Sequence, residues 1–132
     1  MLQQSRILAR DLEAARRFYA ATARTLGLSL IDVRDDGFAL GRPADGANPV
    51  LQVKVACAEA RAATELPETQ PAHVAIEAPD DFTVRAFYRA AMEAGGKQLG
   101  YPAPQPTSGR YSYYAAKVAD PDGNCIECGW RH

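Results

Sequence analysis

Apolar and polar positions along the chain form two similar successions of strand and helix. Apolar-rich runs at residues 2–9 and 72–78 are typical of short strands. Each run precedes a stretch whose apolar side chains recur every three or four residues, as on one face of an amphipathic helix. An aspartate precedes each stretch and a glycine follows it, which suits the N-cap and the first residue beyond a helix. The predicted caps are Asp11 and Gly27 for the first helix, and Asp80 or Asp81 and Gly95–Gly96 for the second.

Three further strand-like segments follow each predicted helix. They are short, largely apolar, and separated by residues that favour turns. Each half of the chain therefore has the order β-α-β-β-β, and the predicted fold class is α+β. The segments are residues 28–34, 37–41 and 50–56 in the first half, and 97–101, 112–119 and 124–129 in the second.

The two halves are also similar in sequence. The segment that starts at Asp11 aligns with the segment that starts at Asp80, and the same offset matches Phe18–Tyr19 with Phe87–Tyr88. An internal repeat of this kind indicates that one structural unit occurs twice. We predict one domain over residues 1–132, composed of a first module (1–58), a polar, proline-containing linker (59–71) and a second module (72–132).

The composition is that of an ordinary globular protein. Of the 132 residues, 47% are apolar and 23% are charged, and the net charge is −1 with acids and bases interspersed. No basic tract predicts binding to nucleic acid or to a membrane surface, and no apolar run approaches the roughly 20 residues of a membrane span. The N-terminal segment is too charged for a signal peptide, and the odd number of cysteines, three, favours free thiols. We therefore expect a cytoplasmic protein.

A hairpin is predicted near the C-terminus. Residues 120–124, Asp-Pro-Asp-Gly-Asn, are almost all turn formers, and an apolar run flanks them on each side. On the second strand Glu127 lies between two apolar residues, so alternation directs its carboxylate to the opposite face. Lys117, on the first strand, lies on the same face as Glu127 if its own apolar neighbours face the helix.

Alternation also selects one face of the first strand of each module. His73 points away from the helix in the second module, and the repeat makes Gln4 its equivalent in the first, with Arg6 on the same face. If the two sheets form one concave surface, these side chains meet Lys117 and Glu127. Imidazole, carboxylate and amide oxygen suit a divalent transition metal. The alternative is a structural histidine with a cross-strand Lys–Glu ion pair.

A proline-rich segment at residues 101–109 is predicted to be a long loop in the second module. Loops of this length in compact domains are often functional lids, although disorder is the alternative. Three tyrosines follow the segment directly, and they line the mouth of a pocket or else pack in the core or at a dimer contact. They are Tyr111, Tyr113 and Tyr114.

Several short motifs are together similar to one known family. In the second module they are residues 73–76 (HVAI), 87–88 (FY), 94–96 (AGG) and 120–127 (DPDGNCIE), and in the first 11–13 (DLE), 18–19 (FY) and 26–27 (LG). With the repeat, they resemble the vicinal oxygen chelate superfamily. This superfamily includes glyoxalase I, bleomycin-resistance proteins, extradiol dioxygenases and fosfomycin-resistance enzymes.

The resemblance implies a fold, an assembly and a metal site. The fold is an open concave cup of mixed β-sheet with the helices packed outside, commonly in a homodimer. Metal-binding members take ligands from the positions of Gln4, His73 and Glu127, so a divalent metal (Zn, Ni, Mn or Fe) is the expected cofactor. Two positions depart from the family pattern. Gln52 lies where glyoxalase I has a further Glu, and Lys117 lies where metal-binding relatives usually have an aromatic residue.

The function implied first is that of a glyoxalase-like lyase or isomerase. A metal would bind two adjacent substrate oxygens and stabilise an enolate or oxyanion. Glu127 and Lys117 are the predicted catalytic residues, and Arg6, Tyr111 and Tyr113 are the predicted substrate contacts. Dioxygenase chemistry is less favoured, because its ligands usually include two histidines. The alternative is a metal-free protein of the bleomycin-resistance type, which sequesters a small aromatic or cationic compound.

Overall fold

Each half of the chain folds into one strand, one helix and three further strands. The computed structural model describes residues 5–42, 51–55, 73–107, 109 and 111–132. The first half contains β1 (Ser5–Ala9), α1 (Leu12–Thr25), β2 (Ser29–Arg34), β3 (Gly37–Gly41) and β4 (Leu51–Val55). The second half contains β5 (His73–Glu77), α2 (Asp81–Glu93), β6 (Lys97–Gln105), β7 (Tyr113–Ala119) and β8 (Cys125–Arg131).

The eight described strands form two sheets with the same strand order. The orders are β1-β4-β3-β2 and β5-β8-β7-β6. The first and last strands of each module pair in parallel, and the remaining pairs are antiparallel. The helix of each module provides the crossover that a parallel pair requires. The predicted α+β class is confirmed, and the arrangement is that of a two-module cup.

The ends of both helices follow from local chemistry. The side chains of Asp11 and Asp80 each accept a hydrogen bond from the backbone N–H three residues later, at 3.1 and 2.7 Å. Asp80, rather than Asp81, is therefore the second N-cap. Gly27 and Gly95 follow the two helices with φ of +72° and +95°, a conformation that favours glycine. No helix within the described residues is long and apolar enough to span a membrane.

The two modules share one hydrophobic core. Phe18 and Tyr19 of α1 are buried in the same cluster as Phe87 of α2 and Ile126 of β8. The two helices pack against each other. A Cβ at Gly96 would lie 2.8 Å from the Phe18 ring, so this close approach between the modules requires glycine.

A buried hydrogen bond also joins the modules. The Tyr19 hydroxyl of α1 donates to Asp120 Oδ2 at 2.6 Å, and both side chains are buried. Asp120 Oδ1 in turn accepts the backbone N–H groups of Asp122 and Asn124 at 2.9 and 2.8 Å. Burial, reinforced by the Asp120 charge, raises the pKa of Tyr19 far above its ordinary value, so the hydroxyl keeps its proton. The helix of the first module is thereby attached to the β7–β8 turn of the second.

One predicted boundary is wrong. The strand predicted at 97–101 continues to Gln105, so the first part of the predicted loop at 101–109 is a strand. This strand lies at the sheet edge and pairs with β7 in an irregular register, which accommodates Pro102 and Pro104 because an edge strand can leave one side unpaired. The predicted linker at 59–71 lies outside the described residues.

The Tyr19–Asp120 hydrogen bond can be tested with Tyr19→Phe. The substitution leaves the ring in place but removes a donor from a buried carboxylate, so we expect the free energy of unfolding to fall by about 1–2 kcal/mol. The measurement is urea denaturation followed by circular dichroism.

Tyr88→Phe is the matched control, because the repeat places Tyr88 at the position equivalent to Tyr19. Its ring packs on Tyr101 in a partly exposed position. We expect a change within about 0.5 kcal/mol. Equal losses in the two variants would show that the Asp120 hydrogen bond does not join the modules as described.

Candidate functional site

The face of the second sheet opposite its helix carries the candidate site. In β5 the side chains of Val74 and Ile76 are buried in the core, while His73, Ala75 and Glu77 are exposed. This pattern confirms the predicted alternation of the strand. We call this surface, opposite α2, the open face of the second sheet.

The β7–β8 hairpin places an acid and a base opposite each other on the open face. Lys117 pairs with Glu127, while Ala116 and Val118 are buried on the helix side, as predicted. The parallel pairing of β5 with β8 then places His73 opposite Cys125, two residues before Glu127 and on the same face. Three adjacent strands therefore each contribute one polar side chain to one place.

The carboxylate of Glu127 is surrounded by donors. His73 Nε2 lies 3.2 Å from Oε1, and Lys117 Nζ lies 4.0 Å from the same oxygen. The Tyr113 hydroxyl donates to Oε2 at 2.5 Å. The side chain of Glu127 is 15% exposed, against 54% for His73 and 45% for Lys117. A molecule that reaches this surface therefore meets the imidazole and the ammonium before it meets the carboxylate.

Tyr113, a predicted substrate contact, donates its hydroxyl hydrogen bond to Glu127. Burial, followed by the hydrogen bond to Glu127, raises the pKa of Tyr113 above its ordinary value, so the phenol is a donor at neutral pH. Sequence reasoning missed Gly129, where a Cβ would overlap the Tyr113 side chain. A glycine inside a predicted strand is a signal of such close approach.

The other two tyrosines after the proline-rich segment lie apart from Glu127. Tyr111 is exposed, with the Arg131 guanidinium carbon 5.0 Å from its ring centroid at the end of the hairpin. Tyr114 faces the helix side and packs against the core, near Arg85 of α2. Of the alternatives predicted for the tyrosines, Tyr114 takes core packing, because alternation sends it away from the open face.

Two predicted site residues come from the first module. Gln4 lies outside the described residues. The backbone of Arg6 pairs with that of Gln52 in the parallel β1–β4 ladder. The side chains of Arg6 and Gln52 lie outside the described part of the chain.

Cys125 and Cys128 lie three residues apart on β8, so strand alternation directs their side chains to opposite faces. Both are free; Cys128 is buried in the core, and Cys125 lies on the open face opposite His73. Burial raises the pKa of the Cys128 thiol to about 12, and burial also raises that of Cys125. Neither thiol ionises appreciably at neutral pH, which makes both poor nucleophiles.

The side chains around Glu127 include ligand types that bind divalent metals. Among the residues that the structure describes, no three His, Cys, Asp or Glu side chains are placed to hold a metal ion. The 3.2 Å between His73 Nε2 and Glu127 Oε1 nevertheless suits two ligands of one ion. Two donors about 2.1 Å from a metal, in tetrahedral or octahedral geometry, lie roughly 3.0–3.4 Å apart. Lys117 opposes such an ion, because its ammonium would repel a second cation at the shared oxygen.

Comparison with known proteins agrees with this architecture. Residues 2–128 match the family model described as Glyoxalase/Bleomycin resistance protein/Dioxygenase superfamily. No curated protein matches the chain.

Several solved structures share the fold. A glyoxalase/bleomycin resistance protein from Albidiferax ferrireducens T118 is 21% identical, with 98% of each chain covered and a TM-score of 0.72. A glyoxalase/bleomycin resistance protein/dioxygenase family enzyme from Burkholderia phytofirmans PsJN is 19% identical, with 98% of this chain and 97% of that chain covered and a TM-score of 0.69. A glyoxalase-related enzyme from Fulvimarina pelagi is 18% identical, with 98% and 87% covered and a TM-score of 0.74. At these identities the likeness concerns the fold.

The buried Cys128 thiol makes stability depend on pH in the alkaline range. Its pKa rises from an ordinary 9.0 to about 12 on folding. Below pH 9 the thiol is protonated in the folded and in the unfolded chain. Between pH 9 and about 12 the unfolded chain loses this proton, whereas the folded chain keeps it. Between pH 8 and pH 10.5 the free energy of unfolding should therefore fall by about 2 kcal/mol more in the wild type than in Cys128→Ala.

Urea denaturation at a series of pH values measures this difference. Cys125→Ala is the control on the same strand, and we expect a smaller difference for it because Cys125 is less buried. Parallel pH profiles for the wild type and Cys128→Ala would contradict the burial of a protonated thiol.

Proposed function

Because the chain belongs to the glyoxalase/bleomycin resistance protein/dioxygenase superfamily, we propose that it binds a small organic molecule on the open face of the second sheet. An anionic group of this molecule is held by Lys117 and His73. No metal ion is needed for this binding. The sequence favours a metal-dependent enzyme. In the structure, however, both carboxylate oxygens of Glu127 already have donors from the protein.

The observation that carries the proposal is the unequal exposure of the three charged or polar groups. Glu127 has donors on both oxygens, so its charge is compensated within the protein. Lys117 and His73 keep about half of their surface open. A ligand anion gains a charge-assisted hydrogen bond from the Lys117 ammonium, and His73 adds a second one when its imidazole carries both protons. A ligand cation finds the carboxylate already engaged.

The rest of the open face supports an anionic ligand with an apolar body. Small side chains flank the acid and base, with Ala75 opposite Glu127 on β5 and Ala119 two residues after Lys117 on β7. Lys97 of β6 pairs with Ala119 and so lies at the His73 end of this face, whereas the exposed Glu77 lies at the other end of β5. Small floor residues leave room for a flat apolar group, and the neighbouring cations favour negative charge.

A metal-dependent lyase or isomerase is the second candidate, and the 3.2 Å between His73 and Glu127 favours it. In this candidate His73, Glu127 and Gln4 would hold a divalent ion, and the ion would supply Lewis-acid chemistry toward substrate oxygens. Lys117 and Arg6 neutralise an anionic group of the substrate. Glu127 would then act as ligand and catalytic residue, with Lys117 as its charged neighbour.

The proposal includes a cellular location and an oligomeric state. Free thiols at Cys125 and Cys128 suit a reducing compartment, which supports a cytoplasmic location. A homodimer is proposed from the family resemblance of the sequence.

The charge preference can be tested with three ligands that share one ring system: 2-naphthoate, 2-naphthamide and 2-naphthamidine. We expect the carboxylate to bind about tenfold more tightly than the amide, and the amidine to bind most weakly, because a charge-assisted hydrogen bond contributes roughly 1.5 kcal/mol. Dissociation constants can be measured by NMR shift titration of backbone amides.

Lys117→Met should remove the preference for the carboxylate over the amide. Arg89→Met is the matched control, since it deletes an equal charge from α2 on the other side of the sheet. Tighter binding of the amidine, or an unchanged preference in Lys117→Met, would contradict the proposal.

Metal affinity distinguishes the two candidates. If the Lys117 ammonium repels a metal ion at Glu127, Lys117→Met should bind Ni²⁺ about tenfold more tightly than the wild type. Adding His73→Ala to Lys117→Met should reverse this gain in affinity. Isothermal titration calorimetry with Arg89→Met as control measures this. Stoichiometric metal in wild-type protein purified without chelator, absent from His73→Ala, would favour the second candidate instead.

A further inference from the structure

Tyr113 reaches Glu127 from an unusual distance along the hairpin. Tyr113 pairs with Arg131, four residues beyond Glu127 on β8, which corresponds to about 13 Å along a strand. The two side chains span this distance only by leaning toward each other. The phenol hydroxyl then meets Glu127 Oε2 at 2.5 Å.

Gly129 leaves the space through which the Tyr113 side chain reaches Glu127. It lies between Glu127 and Arg131 on the open face, and a Cβ at this position would overlap the hydroxyl and ring carbons of Tyr113. Its φ is not positive, so space and not backbone conformation is what requires glycine here. Ala115, paired with Gly129, is almost fully buried even though it belongs to the open face.

The hydroxyl determines which oxygen of Glu127 faces the rest of the site. With Oε2 engaged by Tyr113, Oε1 is directed to His73 and Lys117. Held in this orientation, the carboxylate contacts His73 and Lys117 through Oε1 alone, so Oε2 does not compete with a ligand anion for the remaining N–H groups of Lys117. The exposed surfaces of Lys117 and His73 therefore stay available to a ligand.

We propose that Tyr113 is a positioning residue for Glu127, and that Gly129 is the specificity-determining residue that allows it to act. The Tyr113 ring is not a stacking surface for the ligand. Its hydroxyl holds the Glu127 carboxylate, so that Lys117 and His73 select an anion. The binding part of this inference rests on the proposed function. The positioning part concerns the protein alone and can be tested without a ligand.

The test is a double-variant cycle of Tyr113→Phe and Gly129→Ala. Each single variant should shift the side-chain carboxyl ¹³C resonance of Glu127, assigned by its loss in Glu127→Gln. Each should also lower the preference for 2-naphthoate over 2-naphthamide about fivefold, and the double variant should lose no more than either single one, because both remove one hydrogen bond.

Two substitutions on neighbouring positions serve as matched controls. Tyr111→Phe removes a hydroxyl from the exposed tyrosine at the end of the hairpin. Gly100→Ala adds a Cβ that lies 3.7 Å from that of Lys117, an ordinary contact distance. Neither control should move the Glu127 resonance.

The outcomes separate this inference from the proposed function. An unmoved Glu127 resonance in Tyr113→Phe, or additive losses in the double variant, overturns the positioning role even if 2-naphthoate binds as expected. A moved resonance in a protein that shows no preference for the carboxylate supports the positioning role and contradicts the proposed function. If Gly129→Ala does not fold, the resonance in Tyr113→Phe decides alone.

Discussion

The arrangement of the site depends on the buried carboxylate of Asp120. It accepts hydrogen bonds from the Tyr19 hydroxyl, from the Asn124 side chain, and from the backbone N–H groups of Asp122 and Asn124. These bonds close the turn between β7 and β8 and attach it to α1. Because a slip of one residue would exchange the two faces of a strand, a closed turn is what keeps Lys117 opposite Glu127.

In this register the carboxylate of Glu127 is mostly buried, while the side chains of Lys117 and His73 are about half exposed. Glu127 receives a donor on each oxygen, while Lys117 and His73 remain accessible. In a fold that can hold a metal ion, the Lys117 ammonium thus provides the positive charge beside the Glu127 carboxylate. A fold shared with relatives does not decide the chemistry, which depends on the side chains of the particular site.

The sequence predicts the fold, and it predicts which polar side chains of the second module share one face, for a simple reason. The period of two in strands determines that His73, Lys117 and Glu127 share a face, whatever the rest of the structure does. The helix caps at Asp11 and Asp80 are equally local. The hydrogen bond from Tyr113 could not be predicted, because it joins residues that are not paired and depends on the direction in which a side chain leans. The extension of β6 to Gln105 was missed because two prolines suggest a loop until the strand is known to lie at an edge.

The most direct measurement of the central claim is a crystal structure of protein purified without chelator and soaked with 2-naphthoate. The account predicts the ligand carboxylate within hydrogen-bond distance of Lys117 Nζ and His73, with the Tyr113–Glu127 hydrogen bond intact. Density for a metal ion between His73 and Glu127, with Lys117 turned away, would contradict it.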